Sequence, residues 1–253
     1  MLRVDLNADV GESFGRYTLG LDSQILPVIS SANIACGFHA ADPVVMEQTV
    51  RLAAEAGIAV GAHPGFPDLM GFGRRNIAVS EKEARAYVLY QLGALDAFLR
   101  PVGLRMQHVK PHGALYNMAA VDHKLAKAIC EAVRDFDPAL IILGLSGSEM
   151  IKAAEETGLK AVSEVFADRA YEEDGTLVSR RKPGSMITDE NEAIRRVIRM
   201  VTEGKVESVT GRDIPIRAES ICVHGDGEKA VLFASMIRKE LEKNGILVCS
   251  MGE

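Results

Sequence analysis

Tryptophan is absent from this 253-residue chain, and the other aromatics are few: five tyrosines and eight phenylalanines. Such a chain offers little surface for base stacking. No block of Lys and Arg supplies a phosphate-binding stripe, and acidic residues outnumber basic ones, for a net charge of −6. Nucleic acid is therefore not an expected partner. No apolar run approaches the roughly 20 residues needed to span a bilayer. The opening Met1-Leu2-Arg3-Val4-Asp5 reaches a carboxylate too early for a secretory signal. No membrane association is expected. The four cysteines, Cys36, Cys130, Cys222 and Cys249, include no C-x-x-C pair. This argues against a zinc knuckle or a redox dithiol, and scattered thiols point to a reducing, cytoplasmic setting. The phosphate-cradling G-x-x-x-x-G-K-[ST] loop, the dinucleotide fingerprint G-x-G-x-x-G and the serine elbow G-x-S-x-G are all missing. The chain is thus expected to lack a nucleotide-binding apparatus of its own.

What is present is an alternation of short apolar strands with helices. Strands are expected near 2–9, 31–37, 58–63, 105–110, 139–144, 161–166 and 219–224. Helices are expected near 43–56, 81–99, 122–134, 148–157, 189–203 and 228–243, with a further short strand pair around 206–218. Boundary signals support this reading. Asp42-Pro43 places a capping carboxylate before a proline at the first helical position. Ser80-Glu81-Lys82-Glu83 reads as a capping box, and Gly57 and Gly158 stand where helices end in a left-handed residue. No linker, repeat or low-complexity stretch interrupts the pattern, so residues 1–253 read as one domain. Seven strands alternating with helices imply a parallel sheet. A distorted, incomplete α/β barrel is the expected architecture, with an open doubly wound sheet as the alternative.

Successive strand residues face opposite ways. In the first strand Leu2, Val4, Leu6, Ala8 and Val10 share an apolar face, while Arg3, Asp5, Asn7 and Asp9 share a polar one. The same split recurs with Asn33, Ala35, Gly37 and His39, with Ala59, Gly61 and His63, with His108 and Lys110, with Glu164, and with Cys222, His224 and Asp226. Polar residues thus gather at the carboxyl ends of most strands. Barrels and open parallel sheets both place their sites there.

The candidate catalytic residues are Asp9, Glu12, His39, His63, Lys110 and His112. Carboxylates and imidazoles of this kind serve as bases, as metal ligands or as orienting groups, although Asp9 would equally suit a Val10-Gly11 turn. Lys110, if desolvated, would have a lowered pKa and act in proton transfer or hold a carboxylate, unless it is ion-paired across the barrel. Arg74 and Arg75 follow a glycine-laden loop, 61–73, and a bidentate arginine suits a substrate carboxylate. With Asn7, Asn33, Asp168, Arg169 and His224 they form the expected substrate-binding set. The run Ser179-Arg180-Arg181-Lys182-Pro183 reads as a solvated loop, His123 as a solvated or capping residue, and Asp226 as a helix cap. No H-x-H pair occurs in the chain, and a constitutive metal is not expected. Were one present, Asp9, His39 and His63 would be its first ligands.

Several long motifs resemble the LamB/YcsF family. They are Asp5–Glu12, Ser30–His39, Gly61-Ala62-His63-Pro64-Gly65, Gly71-Phe72-Gly73-Arg74-Arg75, His108–Asn117, Glu164–Tyr171 and Ile221–Asp226. Together they span nearly the whole chain. Departures from the family pattern touch none of the histidine, lysine or aspartate motifs: Ala41 where glycine is usual, Ser179 for proline, Glu219-Ser220 for Asp-Thr and Gly227-Glu228 for Thr-Pro. The resemblance implies a distorted seven-stranded barrel of the glycoside hydrolase/deacetylase type. It implies opening of 5-oxo-L-proline to L-glutamate with ATP hydrolysis, the chain serving as the A component beside partner subunits B and C. A metal-dependent, deacetylase-like amidohydrolase and a non-catalytic small-ligand carrier are the alternatives.

Overall fold

A computed structural model describes residues 2–223 and 228–252. The elements, in chain order, are β1 (Arg3–Val10), α1 (Asp22–Ile25), β2 (Ser31–Ala35), α2 (Pro43–Ala56), β3 (Ala59–His63), α3 (Glu81–Leu99), β4 (Met106–Val109), α4 (Gly113–Ala119), α5 (His123–Phe136), β5 (Ile141–Leu145), α6 (Glu149–Glu156), β6 (Lys160–Phe166), α7 (Glu190–Glu203), β7 (Lys205–Glu207), β8 (Asp213–Pro215), β9 (Ser220–Val223), α8 (Glu228–Lys243) and β10 (Leu247–Val248). Strands β1 to β6 run parallel in sequence order. Strand β9 pairs with both β6 and β1. That double pairing closes a seven-stranded barrel and removes the open-sheet alternative. The two-residue β10 extends the sheet beside the start of β1. Strands β7 and β8 form the antiparallel pair expected near 206–218.

The capping signals act as expected. Asp42 accepts from the amides of Val44 and Val45, Ser80 and Glu83 complete a capping box, and Gly57 ends α2 with a left-handed φ of 65°. Helix α4 was not expected, because Pro111-His112-Gly113 reads as a turn; His112 instead stands at the helix N-cap. Asp122, not His123, caps α5, and His123 bridges Glu149 and Glu156 at 2.9 and 3.1 Å.

Val4, Leu6, Ala8 and Val10 are buried in the main apolar core, whereas Leu2, the fifth residue of that face, is about half exposed. Inside the barrel, toward the strand starts, Ile141, Leu143 and Val162 pack with Met251 from the chain's end. This small apolar cluster fills the interior below a layer that is almost wholly polar.

Candidate functional site

Strand register sets the polar layer. Asp9 lies beside Asn33, Asn33 beside Gly61, and Gly61 beside His108. A Cβ at Gly61 would come within 2.5 Å of the His108 carbonyl oxygen and overlap the imidazole. Glycine there lets the His108 ring cross the barrel, where its Nε2–H donates to Asn33 Oδ1 at 2.8 Å. The Asn33 amide donates to Asn7 Oδ1 and to Asp9 Oδ1, both at 2.8 Å, and the Asn7 amide donates to Ser220 Oγ at 2.7 Å. Below them Asp5 accepts from the hydroxyls of Ser30, Ser31 and Ser220. Burial pushes the Asp5 carboxyl up to about 6 despite these donors. Asn7 and Asn33 are therefore fully buried members of an internal network, one layer below the cavity.

Lys110 is the centre of charge. Its ammonium lies 2.9 Å from Asp9 Oδ1 and 2.8 Å from Glu164 Oε1, and it donates to Asn7 Oδ1 at 3.2 Å. Burial works to depress its pKa, but Asp9, Cys222 and Glu164 outweigh burial and hold it well above the usual lysine value. The sequence-based picture of a desolvated lysine with a lowered pKa is thus corrected: Lys110 stays charged. Burial would raise Asp9, but the charges of His63 and Lys110 prevail and keep it well below the usual carboxylate range. Glu164 also accepts from Tyr116 Oη at 2.6 Å. Burial, followed by Glu164, lifts the Tyr116 phenol well above its usual value, so it remains a donor.

Beside this group stand three histidines from separate strand ends. His63 closes β3, His112 follows β4 and His39 follows β2. His39 Nε2 lies 3.1 Å and His112 Nδ1 3.3 Å from Glu12 Oε1, and His63 Nε2 lies 3.2 Å from Asp9 Oδ2. The His39 and His112 rings stack in parallel with centroids 3.7 Å apart, and His63 stands nearly perpendicular to both. Burial first, then the other histidines, depresses His39 and His112 well below the ordinary imidazole value; His108 falls to about 3 through burial and Lys110. Among the described residues, Glu12, His39, His63 and His112 form a group able to hold a metal, with ligand atoms all within 4.8 Å of one another. Sequence spacing could not reveal this group, because its members come from four different strand ends.

A cavity of about 1120 Å³ opens above this floor. Of the residues expected at the site, Asp9, Glu12, His63, Lys110 and His112 line it, and so do Arg74, Arg75 and Arg169. His39 is sealed behind Glu12 and His63, and Asp168 does not line the cavity; His224 and Asp226 lie outside the described residues. Arg75 grips Asp68, with Nε 3.0 Å from Oδ1, and so braces the turn at Leu69–Gly71 that Asp68 caps. Arg169 is 5% exposed; its guanidinium donates to the Val178 carbonyl at 2.6 Å, while Nε has no hydrogen-bond partner. Burial and the neighbouring Arg180 bring Arg169 down to about 10.

Sequence reading missed two contributions. Arg180 and Arg181 are exposed on a loop, as expected, but they also line the cavity, because the bridges Arg169–Met186 and Tyr171–Leu177 fold this segment back over the mouth. Tyr116, from the unexpected α4, supplies the donor to Glu164. No periodicity marked either one.

Comparison with known proteins agrees with this architecture. The LamB/YcsF family model matches residues 4–253. The chain is 65% identical over 246 residues to the A subunit of 5-oxoprolinase from Clostridium beijerinckii, covering 97% of this chain and 96% of that protein. It is 56% identical to the protein of the same name from Bacillus subtilis, covering 100% and 98%. Its fold is similar to the crystal structure of the lactam utilization protein from Thermus thermophilus, with TM-score 0.93, 50% identity, and 99% and 100% of the two chains covered.

Proposed function

The chain belongs to the LamB/YcsF family, and from that premise we propose that it opens the lactam ring of 5-oxo-L-proline to give L-glutamate, as the A component of an ATP-hydrolysing enzyme. The observation that carries this reading is the likeness to proteins named as the A subunit of 5-oxoprolinase, at 56–65% identity over essentially the whole chain. The cavity suits the reaction, with carboxylates and imidazoles on its floor and arginines around its mouth.

A five-membered lactam is an unreactive amide. Phosphorylation of its oxygen by ATP makes the ring carbon electrophilic; water then adds, the C–N bond breaks and the nitrogen takes a proton, leaving an acyl phosphate that a second water hydrolyses to the carboxylate and free phosphate. Asp9 is the carboxylate we assign to accept the water's proton. It lines the cavity and is held ionised by His63 and Lys110. Such a carboxylate is a weak base, which suffices only because the carbonyl has been activated. Arg169 and Arg74 hold the anionic substrate carboxylate and the developing phosphoryl charge, where buried donors act most strongly. Arg75 steadies the covering loop through Asp68. Lys110 fixes the orientation of Asp9 and offsets the negative charge beneath the reacting carbon.

ATP must be held with its γ-phosphate near the lactam oxygen, normally by a backbone cradle with a lysine or a metal. This sequence carries no such loop. Partner subunits B and C supply part or all of the nucleotide chemistry in this reading, and the complex works in the cytoplasm, where the chain's four free thiols stay reduced. No helix among the described residues is long and apolar enough to cross a membrane.

The test incubates the purified chain with 5-oxoproline and ATP, alone and with both partners, and measures glutamate. Glutamate should form only in the assembled mixture. Robust formation by the lone chain would overturn the division of labour, and none in the assembled mixture would overturn the activity.

A further inference from the structure

Three of the atoms around the cavity floor pose a problem of hydrogen bookkeeping. His63 Nδ1 lies 2.7 Å from the Lys110 carbonyl oxygen, and His112 Nε2 lies 2.8 Å from the Phe72 carbonyl oxygen. A carbonyl can only accept, so each of these ring nitrogens carries the proton. In a neutral imidazole the other nitrogen is then a bare lone pair. Those two bare nitrogens, His63 Nε2 and His112 Nδ1, face each other at 2.9 Å. Glu12 Oε1, which also has no proton to give as a carboxylate, lies 3.3 Å from one and 4.0 Å from the other. Asp9 Oδ2, 3.2 Å from His63 Nε2, is a further acceptor beside them. The acceptors converge, and a positive centre there would satisfy all of them.

We propose that His63 Nε2, His112 Nδ1 and Glu12 Oε1 bind one divalent transition-metal ion, of the zinc class, with an open coordination position toward the cavity. The spacing fits. Four donors about 2.0–2.1 Å from a tetrahedral ion stand roughly 3.3 Å apart, and the three distances here, 2.9, 3.3 and 4.0 Å, bracket that value. The two rings are nearly perpendicular, at 88°, which lets their in-plane lone pairs meet at one point. All three residues line the cavity, so the remaining position faces substrate space.

His39 has a different part. Its ring is parallel to that of His112 within 2°, so both cannot aim in-plane lone pairs at the same ion. Its Nε2 instead sits 3.1 Å from Glu12 Oε1, where an N–H orients the carboxylate. His63 and His112 already show the outer hydrogen bonds that metal-bound histidines usually make, which fix the tautomer and aim the ring. One of these partners is itself costly. Phe72 adopts a left-handed φ of 53°, uncommon for a bulky side chain, while its carbonyl accepts from His112. Sites of function are where such strain is usually kept. An ion here would be a Lewis acid toward a carbonyl or water oxygen placed in the open position. The site itself stands on geometry and does not depend on the 5-oxoproline reading.

The alternative positive centre is a shared proton, and the experiment separates the two. The chain is stripped with chelator, dialysed, and titrated with Zn²⁺ and Co²⁺ by calorimetry, with the visible absorption of Co²⁺ as a reporter of bound nitrogen ligands. One ion per chain is expected, with a Co²⁺ band and an ion-dependent rise in Tm of the wild-type chain. His63→Ala, His112→Ala and Glu12→Ala should each weaken binding by at least about 100-fold, and His39→Phe by about 10–100-fold, as loss of an outer partner does. His123→Ala, which removes the surface histidine beside Glu149 and Glu156, should leave binding intact. Absence of stoichiometric binding to the wild-type chain would show that only a proton is shared, and would sink the proposal whatever the variants do. Binding that survives both His63→Ala and His112→Ala, or that vanishes in His123→Ala, would place the ion elsewhere and sink it equally.

Discussion

Lys110 Nζ stands 2.8 Å from Glu164 Oε1 inside the barrel, with both side chains essentially shielded from solvent. Asp9 completes the arrangement at 2.9 Å from the same ammonium. One lysine thus compensates two carboxylates, and each of the three depends on the others for being tolerated where it is.

Replacing Lys110 with methionine is expected to abolish turnover and to destabilise the fold as well. Removing one partner of a buried ion pair typically costs about 3–5 kcal/mol, because the remaining charges lose compensation. Urea unfolding of Lys110→Met should show that loss, and the double variant Lys110→Met/Glu164→Gln should recover part of it. A Lys110→Met chain as stable as wild type would contradict this account of the barrel interior.

Tyr116→Phe removes the hydroxyl that donates to Glu164 Oε2 and leaves a buried carboxylate oxygen one donor short. A loss of about 1–3 kcal/mol is expected, the range for stranding a buried polar group. The readout is the urea midpoint at constant m-value. An unchanged midpoint would mean that Glu164 finds another donor.

Asp5 sets a pH dependence of unusual sign for a carboxylate. Its folded pKa is raised from 3.8 to about 6 by burial. Between those values the folded state holds a proton that the unfolded chain has lost. Stability from this group is therefore fully present below the unfolded value and falls as pH rises through the folded one. The full change is about 3 kcal/mol, from roughly two pH units at 1.36 kcal/mol each. Unfolding free energies measured from pH 4 to 7 should drop more steeply in the wild type than in Asp5→Asn. Parallel curves would show that Asp5 does not titrate in this window.

For the chemistry, Asp9→Asn in the assembled enzyme should lower kcat by about 10²–10⁴, the usual weight of a positioned proton acceptor. Arg169→Gln should mainly raise KM, since Arg169 is assigned to binding the substrate anion. Steady-state rates with 5-oxoproline at saturating ATP decide both. A KM effect from Asp9→Asn with kcat unchanged would reverse its assignment.

Much of this was legible in the sequence where its causes are local. Alternation along Val4 to Asp9 told which face meets the helices and which meets the barrel interior. Asp42-Pro43 and the Ser80–Glu83 box fixed two helix starts through hydrogen bonds made within four residues. Strand-end placement of Asp9, His63 and Lys110 pointed to the carboxyl end of the sheet, and long family motifs pointed to the LamB/YcsF barrel. Tertiary structure alone decided the rest. Closure depends on β9 reaching both β1 and β6, and its register with β1 joins segments more than 200 residues apart. The charge on Lys110 follows from Asp9 and Glu164, which lie 101 and 54 positions away. The meeting of Glu12, His63 and His112 brings together the carboxyl ends of β1, β3 and β4, and Arg180 reaches the cavity only because its segment folds back across the mouth. A side chain's residue type and its face are set by its own strand. The company it keeps in a barrel is set by the stagger between strands, which no local stretch of sequence encodes.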